Sequence, residues 1–133
     1  MSIFNKVVIF GTGLIGGSLG LALKRKHLAD QIVGFSKHKE NASRALEIGA
    51  IDSIGSHLDI TRDADLIILA TPVDMIINVM SKISSKLSRN CVVIDVGSTK
   101  ENIVLKLDKL TSNFVVCHPL AGSEKKNISN ARV

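Results

Sequence analysis

The stretch Gly11-Thr12-Gly13-Leu14-Ile15-Gly16 has the GxGxxG spacing of a loop that cradles the phosphates of a dinucleotide. Gly11 permits a tight turn, Gly13 leaves no Cβ between backbone and pyrophosphate, and Gly16 lets the following helix pack closely. A helix opening at Leu14 would aim free N–H groups and the positive end of its dipole at those phosphates. All six residues, Leu14 and Ile15 included, are therefore candidate cofactor contacts. Gly17 and Gly20 extend the small face and are expected to serve helix-to-strand packing. A second signal stands where an NAD-binding domain usually carries a carboxylate for the ribose 2′-OH, about 20 residues after the loop. There the chain reads Gly34-Phe35-Ser36-Lys37-His38. Ser36 brings no charge that would repel a 2′-phosphate, and Lys37 attracts one unless it is merely solvated. The pair leans toward NADP over NAD, while Ser36 is equally able to bond a free ribose hydroxyl.

Three further segments fall at the expected carboxyl ends of strands, where open α/β sheets bind ligands: Ala70-Thr71-Pro72-Val73, Asp95 to Lys100, and His118 to Glu124. Thr71 and Pro72 join the candidate cofactor contacts. On the residues alone, His118 is either a base or a histidine held in a turn, with Pro119 restricting its backbone to an extended form. Ser98 reads as an N-cap for a helix starting near Lys100, and Glu124 as a first-turn acid. Asp95 reads as a strand end holding a turn.

These residues need elements to position them. Lys6 to Phe10, Gln31 to Phe35, Ile51 to Ile54, Asp65 to Ala70, Cys91 to Asp95 and Phe114 to Cys117 are short apolar runs that read as strands. Between them, Leu14 to His27, residues 38–48 with Gly49 as C-cap, Thr71 to about Leu87, and Lys100 to Leu110 read as helices. Thr71 is expected to cap its helix and Pro72 to sit in the first turn. Alternating strands and helices predict an α/β fold of Rossmann type: a doubly wound, mainly parallel sheet with helices on both faces.

Composition agrees. Apolar residues make up 45% of 133 residues and aromatics 3%, so the core must be aliphatic, as suits strands buried on both faces. The two cysteines, Cys91 and Cys117, lie in strand-like surroundings and form no CxxC pair, so the sequence predicts buried thiols and no metal site. The net charge is +5, and its one cluster, Lys24-Arg25-Lys26-His27, suits the last turn of a helix. No nucleic-acid motif accompanies it, so no nucleic-acid partner is expected. His27, His38 and His57 read as surface residues. The longest apolar runs are strand-sized, so no membrane span is expected and the cytoplasm is the predicted compartment.

The stretches GTGLIGGSLG, ATPV, DVGSTK and HPLAGSE, in this order and spacing, resemble the prephenate dehydrogenase family with its arogenate and cyclohexadienyl relatives. The resemblance covers nearly the whole chain, and the last two motifs are its most specific part. It implies NAD(P)-dependent oxidative decarboxylation of prephenate to 4-hydroxyphenylpyruvate in tyrosine biosynthesis. His118 would accept the proton of the substrate ring hydroxyl, as an imidazole can near neutral pH. Ser98 would orient the substrate or His118, and Ser123 and Glu124 would stand at the substrate entrance. The domain reading is then a dinucleotide-binding unit over residues 1–122 and, over 123–133, the start of a truncated extension whose helical dimerisation domain is absent. On that reading the fragment is inactive alone, and the full-length protein is a homodimer acting on a small molecule, prephenate or arogenate. The alternatives are another Rossmann reductase and a non-catalytic dinucleotide-binding module.

Overall fold

Side chains alternate along the central strands between two aliphatic layers. In the computed structural model, which describes residues 2–96 and 114–116, β1 (Phe4–Phe10) sends Val8 and Phe10 to one face and Val7 and Ile9 to the other. β4 (Leu66–Leu69) repeats the pattern, with Ile67 and Leu69 opposite Leu66 and Ile68. A strand buried on both sides needs this unbroken aliphatic run, because successive side chains point to opposite faces.

Six strands form one sheet in the order β3-β2-β1-β4-β5-β6, with β2 at Ala29–Phe35, β3 at Ser53–Ile54, β5 at Val92–Asp95 and β6 at Phe114–Val116. Every pairing is parallel. This is the strand order of the Rossmann fold, and it reverses direction between β1 and β4. Helix α1 (Leu14–Arg25) and helix α2 (Lys39–Glu47) cover the face of Val7 and Ile9, contributing Ile15, Leu19 and Ala45. Helix α3 (Val73–Ile83) covers the opposite face with Ile76, Met80 and Ile83, all fully buried. The doubly wound architecture expected from the sequence is therefore present.

Polar side chains pin the strand starts. Asp65 accepts from the backbone N–H groups of Asn5 and Lys6, at 2.5 and 3.2 Å, and so joins β4 to β1. Asp52 accepts from Ile32 N–H at 2.7 Å and pairs with Lys24 of α1. Cys91 is buried, as the sequence implied, and burial pushes its thiol up to about 11.

Some boundaries differ from expectation. Helix α1 stops at Arg25 because His27 takes the left-handed conformation (φ +53°), with Leu28 N–H reaching Leu23 O at 2.9 Å. Gly49 closes α2 in the same manner (φ +82°), as expected for a glycine after a helix. Helix α3 ends at Ile83 rather than Leu87. Leu58–Asp63 forms a 3₁₀ turn, too short to show a helical period, in which the buried Thr61 hydroxyl donates to Leu58 O at 2.7 Å. The predicted helix over Lys100 to Leu110 and the tail from Ser123 lie outside the described residues. Among the described residues no helix is long and apolar enough to cross a membrane.

Candidate dinucleotide site

The sheet reverses its strand order where β1 and β4 lie side by side. From their carboxyl ends the chain departs in opposite directions, into α1 on one face and α3 on the other. A crevice must open between the two departures, and this is where doubly wound folds bind ligands. Here it is a cleft of about 570 Å³, within the size range of small-molecule and cofactor sites.

Three backbone segments meet at its base. Gly11 N–H donates to Phe35 O, and Ala70 N–H donates to Phe10 O, each at 2.7 Å. Gly11 has φ +95°, in the left-handed region, and a Cβ there would stand 2.6 Å from Ala70 O. Gly11 thus serves both its own turn and the close approach of the next one. Gly16 is buried in α1, and a Cβ on it would lie 1.9 Å from Gly11 O. It lets the helix sit directly on the glycine loop. Gly20 departs from the helix-to-strand packing expected of it. A Cβ there would lie 2.3 Å from Ala50 O, so α1 packs at that point against the segment leading from α2 to β3. The reason is tertiary: Ala50, just after α2, is fully buried, and its carbonyl lies where a side chain at Gly20 would stand.

The residues singled out in the sequence converge on this cleft. Gly11, Thr12, Gly13, Leu14 and Ile15 line it from the β1 side, Ser36 and Lys37 from the β2 side, and Thr71 and Pro72 from the β4 side. Gly16 is not on the wall but supports it from beneath. Ala70, from the first of the segments expected at strand ends, lines it too, whereas sequence reasoning missed His38, Asn41 and Met75, which also line the cleft. Helical spacing carried a signal for two of them. Asn41 lies three residues after His38, and Met75 three after Pro72, so each pair shares a helix face. His38 is exposed, as expected, but on the cleft rim rather than on an unrelated surface.

Ser36 Oγ accepts from His38 N–H at 3.3 Å, which leaves the hydroxyl proton available to donate to a ligand. Among the described residues the cleft walls carry no carboxylate, and their ionisable side chains are those of Lys37 and His38. The site therefore favours an anionic occupant. Two buried hydroxyl groups, Thr12 Oγ1 and Thr71 Oγ1, have no hydrogen-bond partner. This corrects the expectation that Thr71 caps α3: Pro72 occupies the cap position, and no side chain caps this helix. Pro72 has a helical φ of −56° but an extended ψ of 151°, so the helical boundary falls one position later than Thr71 capping requires. A buried hydroxyl without a partner costs about 1–3 kcal/mol. Two such groups at one cleft, beside a turn that no Cβ may enter, fit a ligand that brings its own polar atoms.

His118, Ser98, Ser123 and Glu124 lie outside the described residues. Asp95 is fully buried as the last residue of β5.

The family model described as "Prephenate dehydrogenase, nucleotide-binding domain" matches residues 19–133. The chain belongs to the prephenate dehydrogenase family. The model's match begins after the glycine loop. Among curated members of the family, the prephenate dehydrogenase of Bacillus subtilis is 34% identical over 96% of this chain. That of Lactococcus lactis is 35% identical over 96%. The chain spans only 36% and 37% of these relatives' lengths. The Aquifex aeolicus prephenate dehydrogenase, solved in complex with hydroxyphenyl propionate and NAD⁺, superposes with a TM-score of 0.87 at 32% identity. The alignment covers 96% of this chain and 46% of that one. Synechocystis arogenate dehydrogenase superposes nearly as well, with a TM-score of 0.85 at 32% identity, covering 96% of this chain and 45% of that one.

Proposed function

We propose that this chain is the dinucleotide-binding part of an NAD(P)-dependent dehydrogenase that oxidatively decarboxylates prephenate to 4-hydroxyphenylpyruvate, in tyrosine biosynthesis. The observation that carries the reading is the cleft at the strand reversal, with its Cβ-free turn at Gly11 and two unpartnered threonine hydroxyls, in a chain of this family.

The walls assign the parts. The backbone from Gly11 to Gly13 and the start of α1 would hold the pyrophosphate, because the helix terminus offers unpaired N–H groups. Ser36 and Lys37 would hold the adenosine ribose, and Ser36 in the place of the usual carboxylate, with Lys37 beside it, favours NADP over NAD. Thr71 and Pro72 would flank the dinucleotide from the β4 side. When bound, an oxidised nicotinamide supplies a hydride acceptor. The chain's own share of the chemistry falls to His118, which would take the proton of the substrate ring hydroxyl. Ser98 would orient that hydroxyl, and Ser123 and Glu124 would stand at the substrate entrance. Loss of the hydroxyl proton drives electrons toward the carbon that gives up hydride, and loss of the ring carboxylate completes the aromatic ring.

The test is reduced-nucleotide formation by the full-length gene product, from prephenate and from arogenate, with NAD and NADP in turn. Turnover of prephenate, faster with NADP, is expected. His118→Asn should lower turnover at least 100-fold, the order of a lost general base, with nucleotide affinity unchanged. Turnover of arogenate alone would move the substrate. Nucleotide binding with no turnover of either acid would overturn the catalytic reading.

A further inference from the structure

Gly34 lies on β2, outside the glycine loop, and the cofactor reading of GxGxxG leaves it without a role. It is buried, and a Cβ on it would stand 2.8 Å from Thr12 Cγ2 and 2.8 Å from Ile51 Cδ1. Ile51 Cδ1 is the end of a flexible side chain and can rotate aside, and the branch methyl Ile51 Cγ2, at 3.0 Å, need give by only a few tenths of an ångström. Thr12 has no such freedom: its methyl and hydroxyl share one tetrahedral Cβ, and a β-branched side chain has a single rotor. Where the methyl sits, the hydroxyl direction follows. Thr12 is fully buried, lines the floor of the cleft, and its Oγ1 has no partner. Gly11, next to it, is tied to Phe35 O, the residue after Gly34. The loop is thus docked on β2 by one backbone hydrogen bond and one methyl contact.

We propose that Gly34 is a positioning residue for dinucleotide binding: it provides the seat for the Thr12 methyl and thereby turns the Thr12 hydroxyl toward the ligand. The assignment rests on the dinucleotide reading of the cleft. A packing role alone would be met by any small apolar residue at position 12. A positioning role requires the hydroxyl as well, and this difference separates the two. A methyl at position 34 forces the Thr12 side chain to rotate, which moves Oγ1 off its line. Serine at position 12 keeps the hydroxyl and has no methyl to clash. Alanine relieves the same clash but has no hydroxyl.

The experiment measures NAD and NADP affinity by titration calorimetry, and thermal melting without nucleotide, on the 133-residue chain and its variants. Gly34→Ala should raise both Kd values at least 10-fold. Adding Thr12→Ser should restore affinity to within about 3-fold and restore the melting temperature. Adding Thr12→Ala instead should restore melting but not affinity. Equal rescue by serine and alanine, or an unchanged Kd in Gly34→Ala, would overturn the assignment. Should Gly34→Ala fail to fold, Thr12→Val, which keeps a methyl for the seat and removes the hydroxyl, must raise Kd by the same factor; an unchanged Kd there overturns it too. If the unmodified chain binds neither nucleotide, the dinucleotide reading itself falls, and this assignment with it.

Discussion

Two strand-to-helix turns face each other across the cleft, and they are built on opposite principles. The β1–α1 turn is made by what its residues lack. Gly11 takes φ +95° within 2.6 Å, measured to a hypothetical Cβ, of Ala70 O, and Gly16 leaves no room between α1 and the Gly11 carbonyl. The β4–α3 turn is made by what its residues carry: the Pro72 ring holds φ at −56° at the cap position, and the Thr71 hydroxyl is buried without a partner. The first turn tolerates almost no added atom. The second tolerates changes of side chain, provided that the backbone stays extended before the helix. Close backbone approach and side-chain chemistry are thus divided between the two sides of one site, and the glycine side sets how near the other can come.

The largest effect should come from breaking the first turn. Gly16→Ala places a Cβ on the Gly11 carbonyl, an overlap that only backbone movement relieves. A loss of roughly 3 kcal/mol in the free energy of unfolding is expected, read by urea denaturation, since overpacking commonly costs 1–3 kcal/mol and more where backbone is struck. A loss below about 1 kcal/mol would show that the loop yields, and the contrast between the turns would go. Thr71→Val probes the other side and should have opposite signs in two assays. Removing a buried, unpartnered hydroxyl leaves stability unchanged or raises it by up to about 1 kcal/mol. Nucleotide Kd should rise about 10-fold, equivalent to roughly 1.4 kcal/mol. Destabilisation together with unchanged affinity would mean that Thr71 serves the fold alone. Pro72→Ala should be the mildest: a loss of roughly 0.5 kcal/mol through the freer unfolded chain, with nucleotide affinity unchanged. A larger loss in thermal melting would show that the ring is needed to start α3.

Much of the fold was legible because a strand buried on both faces has an unmistakable signature. Val7 to Phe10 and Leu66 to Leu69 are uninterrupted aliphatic runs, and Gly49 marks the end of α2 in the ordinary way. The 3₁₀ turn at Leu58–Asp63 and the halt of α1 before His27 were not legible. The first is shorter than a hydrophobic period, and the second uses a left-handed histidine where glycine is the usual signal. The cleft walls were half legible. Gly11 to Ile15, Ser36, Lys37, Thr71 and Pro72 were found by motif and by position after a strand. Asn41 and Met75 were not, because they entered only as positions on helices whose faces were unassigned, and His38 was not, because a histidine in a polar stretch reads as a surface residue. Of the two roles read for Thr71, only capping fails, since a threonine before a helix reads as a cap unless the next residue is seen to occupy that place.

The sequence by itself determined the parallel α/β class, the glycine turn and the family, because periodicity and motif spacing are local properties written in consecutive residues. Only the tertiary structure decided that Gly11 serves the neighbouring turn as well as its own, that Gly20 meets Ala50, and that Gly34 accommodates Thr12. Each of these is a contact between segments distant in sequence. The absence of a side chain records that something is close by, and the folded chain alone shows what that neighbour is.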